Sequence, residues 1–166
     1  IRDLKLPIAP RDYQIRALAL AIRMRRAVFI SPTASGKSMV AYLISQWFGG
    51  RTLIVVPTIS LVIQMVKDFQ DYGYIGPIHG IRGGQEKIAV DGVTVSTWQS
   101  VYEMGEDFFS QFDTVIGDEA HLFKAKSLTS ILTKLDNCQY RFGFTGTLDG
   151  TQTHKLVLEG LFGPVR

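Results

Sequence analysis

The residues best suited to chemistry fall in two short stretches. Ser31-Pro32-Thr33-Ala34-Ser35-Gly36-Lys37-Ser38 follows the apolar run Ala27-Val28-Phe29-Ile30 and opens a segment of helical period. Glycine, lysine and serine in that order, at a turn from strand to helix, are the layout of a phosphate-binding loop. In such a loop, backbone N–H groups and the positive end of the helix dipole face phosphate oxygens. Lys37 then reaches the β- and γ-phosphates of a nucleoside triphosphate, and the hydroxyl of Ser38 is a ligand for Mg2+. The general pattern asks for a glycine where this chain has Ser31, so the loop needs support from elsewhere.

That support is Asp118-Glu119-Ala120-His121, which closes the run Thr114–Gly117. Hydrolysis of ATP needs one carboxylate to hold Mg2+ through its water shell, which suits Asp118. It needs a second to position and polarise the attacking water, which suits Glu119. Two adjacent carboxylates alone are more often a solvated loop, and a lone His121 is more often a surface or capping residue. Beside Gly36-Lys37-Ser38 the functional reading prevails.

Both stretches require strands that end at one edge of a sheet. Short β-branched or apolar runs alternate with longer segments of helical period, the pattern of βαβ crossovers. The expected strands are Ala27–Ser31, Thr52–Val56, Ile75–His79, Val93–Thr97, Val115–Asp118 and Arg141–Thr145. Helices are expected at Arg11–Met24, Lys37–Phe48, Ser60–Tyr72, Trp98–Met104, Ser127–Leu135 and Thr153–Gly160. Gly49-Gly50 stops the second helix. Thr58 is the expected N-cap of the third, whose Leu61, Ile63, Met65, Val66 and Phe69 read as core. Strands that are apolar throughout are covered on both faces. The expectation is an α/β fold with a doubly wound, mainly parallel sheet and helices on both sides, whose ligands bind beyond the carboxyl ends of the strands.

Bulk properties narrow the class. With 166 residues, 46% hydrophobic and 20% charged, the chain suits one globular domain covering residues 1–166. The net charge of +3 permits a polyanionic partner without requiring one. A single cysteine, Cys138, excludes an internal disulfide, and no Cys/His cluster has metal-ligand spacing. No run is long and apolar enough to span a bilayer and no signal peptide opens the chain, so an intracellular, cytoplasmic setting without a membrane partner is expected. The chain opens at Ile1 and stops after Gly163-Pro164-Val165-Arg166, which suggests a fragment of a longer protein.

The motifs together resemble superfamily-two helicases. Asp118-Glu119-Ala120-His121 is similar to their DEAH motif II, and Pro57-Thr58-Ile59-Ser60-Leu61 with Gln64 resembles motif Ia. Thr145-Gly146-Thr147 resembles motif III, and Arg11-Asp12-Tyr13-Gln14 the glutamine element upstream of the phosphate loop. Members often carry P-T-G-x-G-K-[ST], so Ser31 matters less and Ala34 is the real departure. Thr97-Trp98-Gln99-Ser100 and Phe142-Gly143-Phe144 leading into Thr145 look most like recombination helicases of the phage UvsW type and related DNA repair helicases.

That resemblance implies a RecA-like P-loop NTPase domain, the first of two motor lobes, binding ATP and Mg2+. It implies that Gln14 contacts the adenine edge with Arg11 or Tyr13 nearby, and that Pro32, Thr33, Ala34 and Ser35 complete the nucleotide loop. Thr145 and Thr147 would couple this site to nucleic acid through Asp118 or His121. Nucleic acid, DNA rather than RNA, would lie across the strand ends on Thr58, Gly83, Gly84, Thr97 and Gln99, without sequence readout. Trp98 is either a stacking platform for a base or part of the core. The arginine that stabilises transferring phosphate comes from the second lobe in this family, so an isolated, monomeric fragment is expected to hydrolyse ATP feebly and unwind nothing. The rivals are a small nucleotide kinase, which would need an arginine-rich lid, and a non-catalytic binding platform.

Overall fold

Six runs rich in Val, Ile, Phe and Thr form strands, and every pairing among them is parallel. The computed structural model describes residues 10–30, 36–81, 89–119, 130–131, 134 and 138–145. In chain order these form α1 (Asp12–Met24), β1 (Arg26–Ile30), α2 (Lys37–Phe48), β2 (Thr52–Val56), α3 (Ile59–Asp71) and β3 (Ile78–Ile81). There follow β4 (Val93–Thr97), the short helices α4 (Trp98–Tyr102) and α5 (Glu106–Phe109), β5 (Thr114–Asp118) and β6 (Tyr140–Thr145). The strand order is β1-β6-β5-β2-β4-β3. β6 thus lies between the strand leading to the phosphate loop and the strand ending at Asp118.

Both faces of the sheet are covered, so even the alternating Val-Thr-Val-Ser-Thr of β4 is buried throughout. Ile54, Val56 and Ile116 point into a core shared with Leu18, Leu43, Ile44 and Phe69 of α1, α2 and α3. Their neighbours Leu53, Val55 and Val115 point the other way, into a core with Val101, Phe108, Phe109 and Phe112. Residues 39–45 of α2 are buried without a break, as suits a helix apolar all round. Gly49 and Gly50 follow it with φ of 65° and 67°, the left-handed region that glycine enters without a steric penalty.

Three expectations need correction, and the alternative left open for Trp98 resolves to the core. The stripe of α3 that meets the sheet is Val62, Met65 and Phe69 with Val66 beside them, whereas Leu61 and Ile63 are exposed. At 100° per residue the helix cannot present positions 61, 63 and 65 to one face, so the apolar content of the segment overstated its buried side. β3 begins at Ile78 instead of Ile75, which is fully exposed. Pro77 has no N–H to give a ladder, and its carbonyl instead accepts from Val93 at 3.0 Å as pairing begins. The helix expected over Trp98–Met104 ends at Tyr102, and a further helix, α5, follows Gly105. Trp98 is 3% exposed and belongs to the second core, so it offers no face for stacking on a base.

Ser130, Ile131 and Lys134 are helical, within the helix expected at Ser127–Leu135. The helix expected at Thr153–Gly160 lies outside the described residues. Arg23, Arg25 and Arg26 are exposed where α1 ends, beside the negative end of its dipole. Burial pushes the Cys138 thiol up to about 11, against the opposing pull of Arg141, so it stays protonated and unreactive at neutral pH. Among the described residues, no helix is long and apolar enough to cross a membrane.

Candidate nucleotide site

α2 begins where the phosphate loop ends. Gly36 caps it with φ of 91° and lies against α1: the Gln14 amide nitrogen donates to the Gly36 carbonyl at 3.2 Å, and the Tyr13 hydroxyl approaches the Gly36 Cα. A Cβ at position 36 would meet that hydroxyl and would come within 2.6 Å of the Gln14 amide nitrogen. The left-handed backbone adds about 1–2 kcal/mol for any other residue. Gly36→Ala is therefore expected to lower the melting temperature of the domain and weaken ATP binding together, measured by thermal denaturation with and without nucleotide.

Gln14 is buried on the inner face of α1, and its two amide atoms serve different elements. The oxygen accepts from the Arg11 backbone N–H at 2.7 Å, satisfying a free donor at the start of α1, while the nitrogen holds Gly36. Gln14 thus ties the first helix to the end of the phosphate loop. Arg11 itself is exposed at the N-cap.

Lys37 opens α2 and points at the end of β5. Its Nζ donates to Glu119 Oε1 at 2.9 Å and to Asp118 Oδ1 at 3.3 Å. All three side chains are largely buried, at 11%, 16% and 21% exposure, so the charges are poorly screened by solvent. Burial by itself lowers the pKa of the lysine. The Glu119 hydrogen bond and the charges of both carboxylates outweigh it, and the net shift from 10.5 is upward. A raised lysine pKa means that the stability of this contact is fully present below 10.5 and is lost only as pH climbs past it. The lysine therefore stays charged at neutral pH.

Asp118 is the last residue of β5, and Glu119 follows it with φ of 54°, a left-handed conformation rare outside glycine. Two hydrogen bonds hold the peptide between them. The Glu119 N–H donates to the Phe144 carbonyl at 2.7 Å, and the Trp98 indole N–H donates to the Asp118 carbonyl at 2.8 Å. At about 1 kcal/mol each, these offset the ~1–2 kcal/mol cost of the backbone conformation.

Ser38 lies one residue beyond Lys37, and its hydroxyl is 2.6 Å from the Tyr72 hydroxyl at the end of α3. Sequence reasoning missed Tyr72, Trp98 and Phe144 as parts of this site. Each touches it through the packing of distant segments, and the short motifs around Trp98 and Phe144 do not reveal that contact.

The remaining sequence-predicted residues divide by element. Thr58 is exposed just beyond β2, and its Oγ1 accepts from the Leu61 N–H at 3.2 Å as the expected cap of α3. Thr97 is buried, and its hydroxyl caps α4, accepting from the Ser100 N–H at 3.1 Å. Gln99 is exposed beside it. Thr145 ends β6, paired with Ile30. Pro32, Thr33, Ala34, Ser35, Gly83, Gly84, His121 and Thr147 lie outside the described residues.

Three comparisons with known proteins agree with this geometry. The family model described as the type III restriction enzyme res subunit matches residues 7–150. The chain is 35% identical over 168 residues to the ATP-dependent DNA helicase uvsW of Enterobacteria phage T4, covering 95% of this chain and 34% of that protein. It is 34% identical over 162 residues to the DNA 3'-5' translocase XPB2 of Sulfurisphaera tokodaii, covering 98% of this chain and 36% of that one. The crystal structure of the bacteriophage T4 UvsW helicase matches with a TM-score of 0.84 at 35% identity, over 96% of this chain and 60% of that chain. The chain spans about a third of the length of these two curated relatives. With the matched family, the parallel sheet and the Lys37–Asp118–Glu119 cluster in agreement, the chain belongs to the type III restriction enzyme res-subunit family, as a first RecA-like domain of the superfamily-two helicase type.

Proposed function

We propose that residues 1–166 form the ATP-binding motor domain of an ATP-dependent DNA helicase or translocase acting in recombination, repair or replication. The observation that carries this reading is the meeting of Lys37, Asp118 and Glu119 at the carboxyl edge of the sheet. Lys37 grips the terminal phosphates of ATP, leaving the carboxylates free to act. Glu119 accepts a proton from the attacking water and aims it.

The residues present suit Mg2+. The candidate donors are hard oxygens, from Asp118 and Ser38, and the carboxylate pair already accommodates a positive charge in the Lys37 ammonium. When bound, the ion neutralises charge that develops on the phosphate oxygens. Asp118 and Ser38 would hold the ion, and the Ser38 hydroxyl, which meets Tyr72 at 2.6 Å, would turn towards it or be shared between the two.

Gln14, bonded to the Gly36 carbonyl, would read the adenine edge with Arg11 nearby. Thr58 and Gln99 are exposed just beyond the carboxyl ends of β2 and β4, and with Gly83 and Gly84 they form the proposed track for a nucleic-acid backbone. Thr97 supports that track by capping α4. Thr145, Thr147 and His121 link the track to the nucleotide. The names of the relatives, a DNA helicase and a DNA translocase, favour DNA over RNA. A second RecA-like lobe of the same protein supplies the stabilising arginine, and the protein works in the cytoplasm.

The test is steady-state ATP hydrolysis by the full-length protein with no nucleic acid, with DNA and with RNA. DNA should stimulate turnover most. Turnover indifferent to either polymer would overturn the motor reading, and a stronger response to RNA would overturn the choice of DNA.

A further inference from the structure

A buried indole needs a hydrogen-bond acceptor, and many carbonyls would serve. Trp98 uses one with unusual surroundings. Its acceptor, the Asp118 carbonyl, belongs to the peptide that enters the left-handed residue Glu119. The other edge of that peptide is held by Phe144, the residue before Thr145.

The reach of the contact is equally telling. β4, which Trp98 follows, is not a neighbour of β5, because β2 lies between them. The side chain must therefore bridge two strand spacings, about 10 Å. It passes over the end of β2, where Val56 is followed by Pro57. Proline has no N–H, so β2 offers no backbone donor at that position, and the indole supplies one from the next strand instead.

We propose that Trp98 is a positioning residue for Glu119: its indole N–H and the Phe144 carbonyl hold the two edges of the Asp118–Glu119 peptide, so the ends of β4 and β6 together set the aim of the Glu119 carboxylate. The same residue opens α4, which carries Gln99 of the proposed nucleic-acid track, so the contact also joins that track to the base. This inference rests on the assignment of Glu119 as the group that activates water.

Two substitutions in the full-length protein isolate the N–H. Trp98→Phe keeps most of the apolar bulk, and Trp98→3-benzothienylalanine replaces only the N–H by sulfur. In both, DNA-stimulated kcat should fall about tenfold or more, as a small misplacement of a catalytic group does. KM for ATP should stay within about twofold, because the nucleotide contacts of Lys37 and Gln14 are untouched. The ratio of stimulated to unstimulated turnover should fall as well. The benzothienyl variant should melt close to the parent, separating positioning from packing. Unchanged kcat and stimulation ratio in that variant would overturn the proposal. So would a loss of kcat accompanied by an equal rise in KM and a matching fall in melting temperature. A Glu119→Gln control distinguishes the failures: if it retains turnover, the assignment of the base is wrong, and if it loses turnover while the benzothienyl variant does not, only the role of Trp98 is.

Discussion

Glu119→Gln in the full-length protein is expected to bind ATP with near-parental affinity and to lose about 10²–10⁴-fold in DNA-stimulated turnover, the usual range for removing a general base. Glutamine has nearly the same shape as glutamate, and its oxygen can still accept from the Lys37 ammonium, which lies 2.9 Å from Oε1. The backbone bonds to Phe144 and Trp98 do not involve the side chain, so the left-handed turn survives the change. What disappears is the negative charge that takes a proton from water. Binding measured by fluorescent-nucleotide titration and kcat measured at saturating ATP separate the two effects. Parental turnover would remove Glu119 from the mechanism.

Lys37→Ala should act earlier, on nucleotide binding itself. Each charge-assisted hydrogen bond from the ammonium to phosphate contributes about 1.5–3 kcal/mol, so losing two of them weakens ATP binding by about a hundredfold or more. The nucleotide-free protein carries a second consequence. Lys37 pairs with two poorly solvated carboxylates, and without it the repulsion between Asp118 and Glu119 at the end of β5 is unrelieved. The variant should melt below the parent in the absence of divalent ions. Added Mg2+ should restore more of its stability than it adds to the parent, since the ion can occupy the place of the ammonium. Thermal denaturation across a Mg2+ series tests this, and isothermal titration with ATP tests the loss of binding. Undiminished ATP affinity would count against the loop.

The roles of Lys37, Asp118 and Glu119 follow from residue type and local context: a Gly-Lys-Ser turn after one apolar run and paired carboxylates after another. All six strands implied by those runs form, and β2 and β4 have the bounds that sequence suggested. The cap by Thr58 and the stop at Gly49-Gly50 were legible for the same reason, since capping depends on a few adjacent residues.

Long-range contacts were not legible. Periodicity measures the apolar content of α3 but not which arc faces the sheet, and Leu61 and Ile63 point outward. Trp98 looked equally suited to base stacking or to the core. Only the packing of α4 and α5 over β2 decided for burial, and only the strand order brought its N–H to Asp118.

By itself, then, the sequence determined which chemical groups the chain carries and that they end strands of an α/β sheet, because strand runs, turns and caps are short-range physics. The tertiary structure decided how those groups are held. The order β1-β6-β5-β2-β4-β3 brings Lys37 to the end of β5, places Tyr72 on Ser38, and holds the Asp118–Glu119 peptide from two sides. Such contacts join segments tens of residues apart, and no local pattern encodes them until both cores have packed.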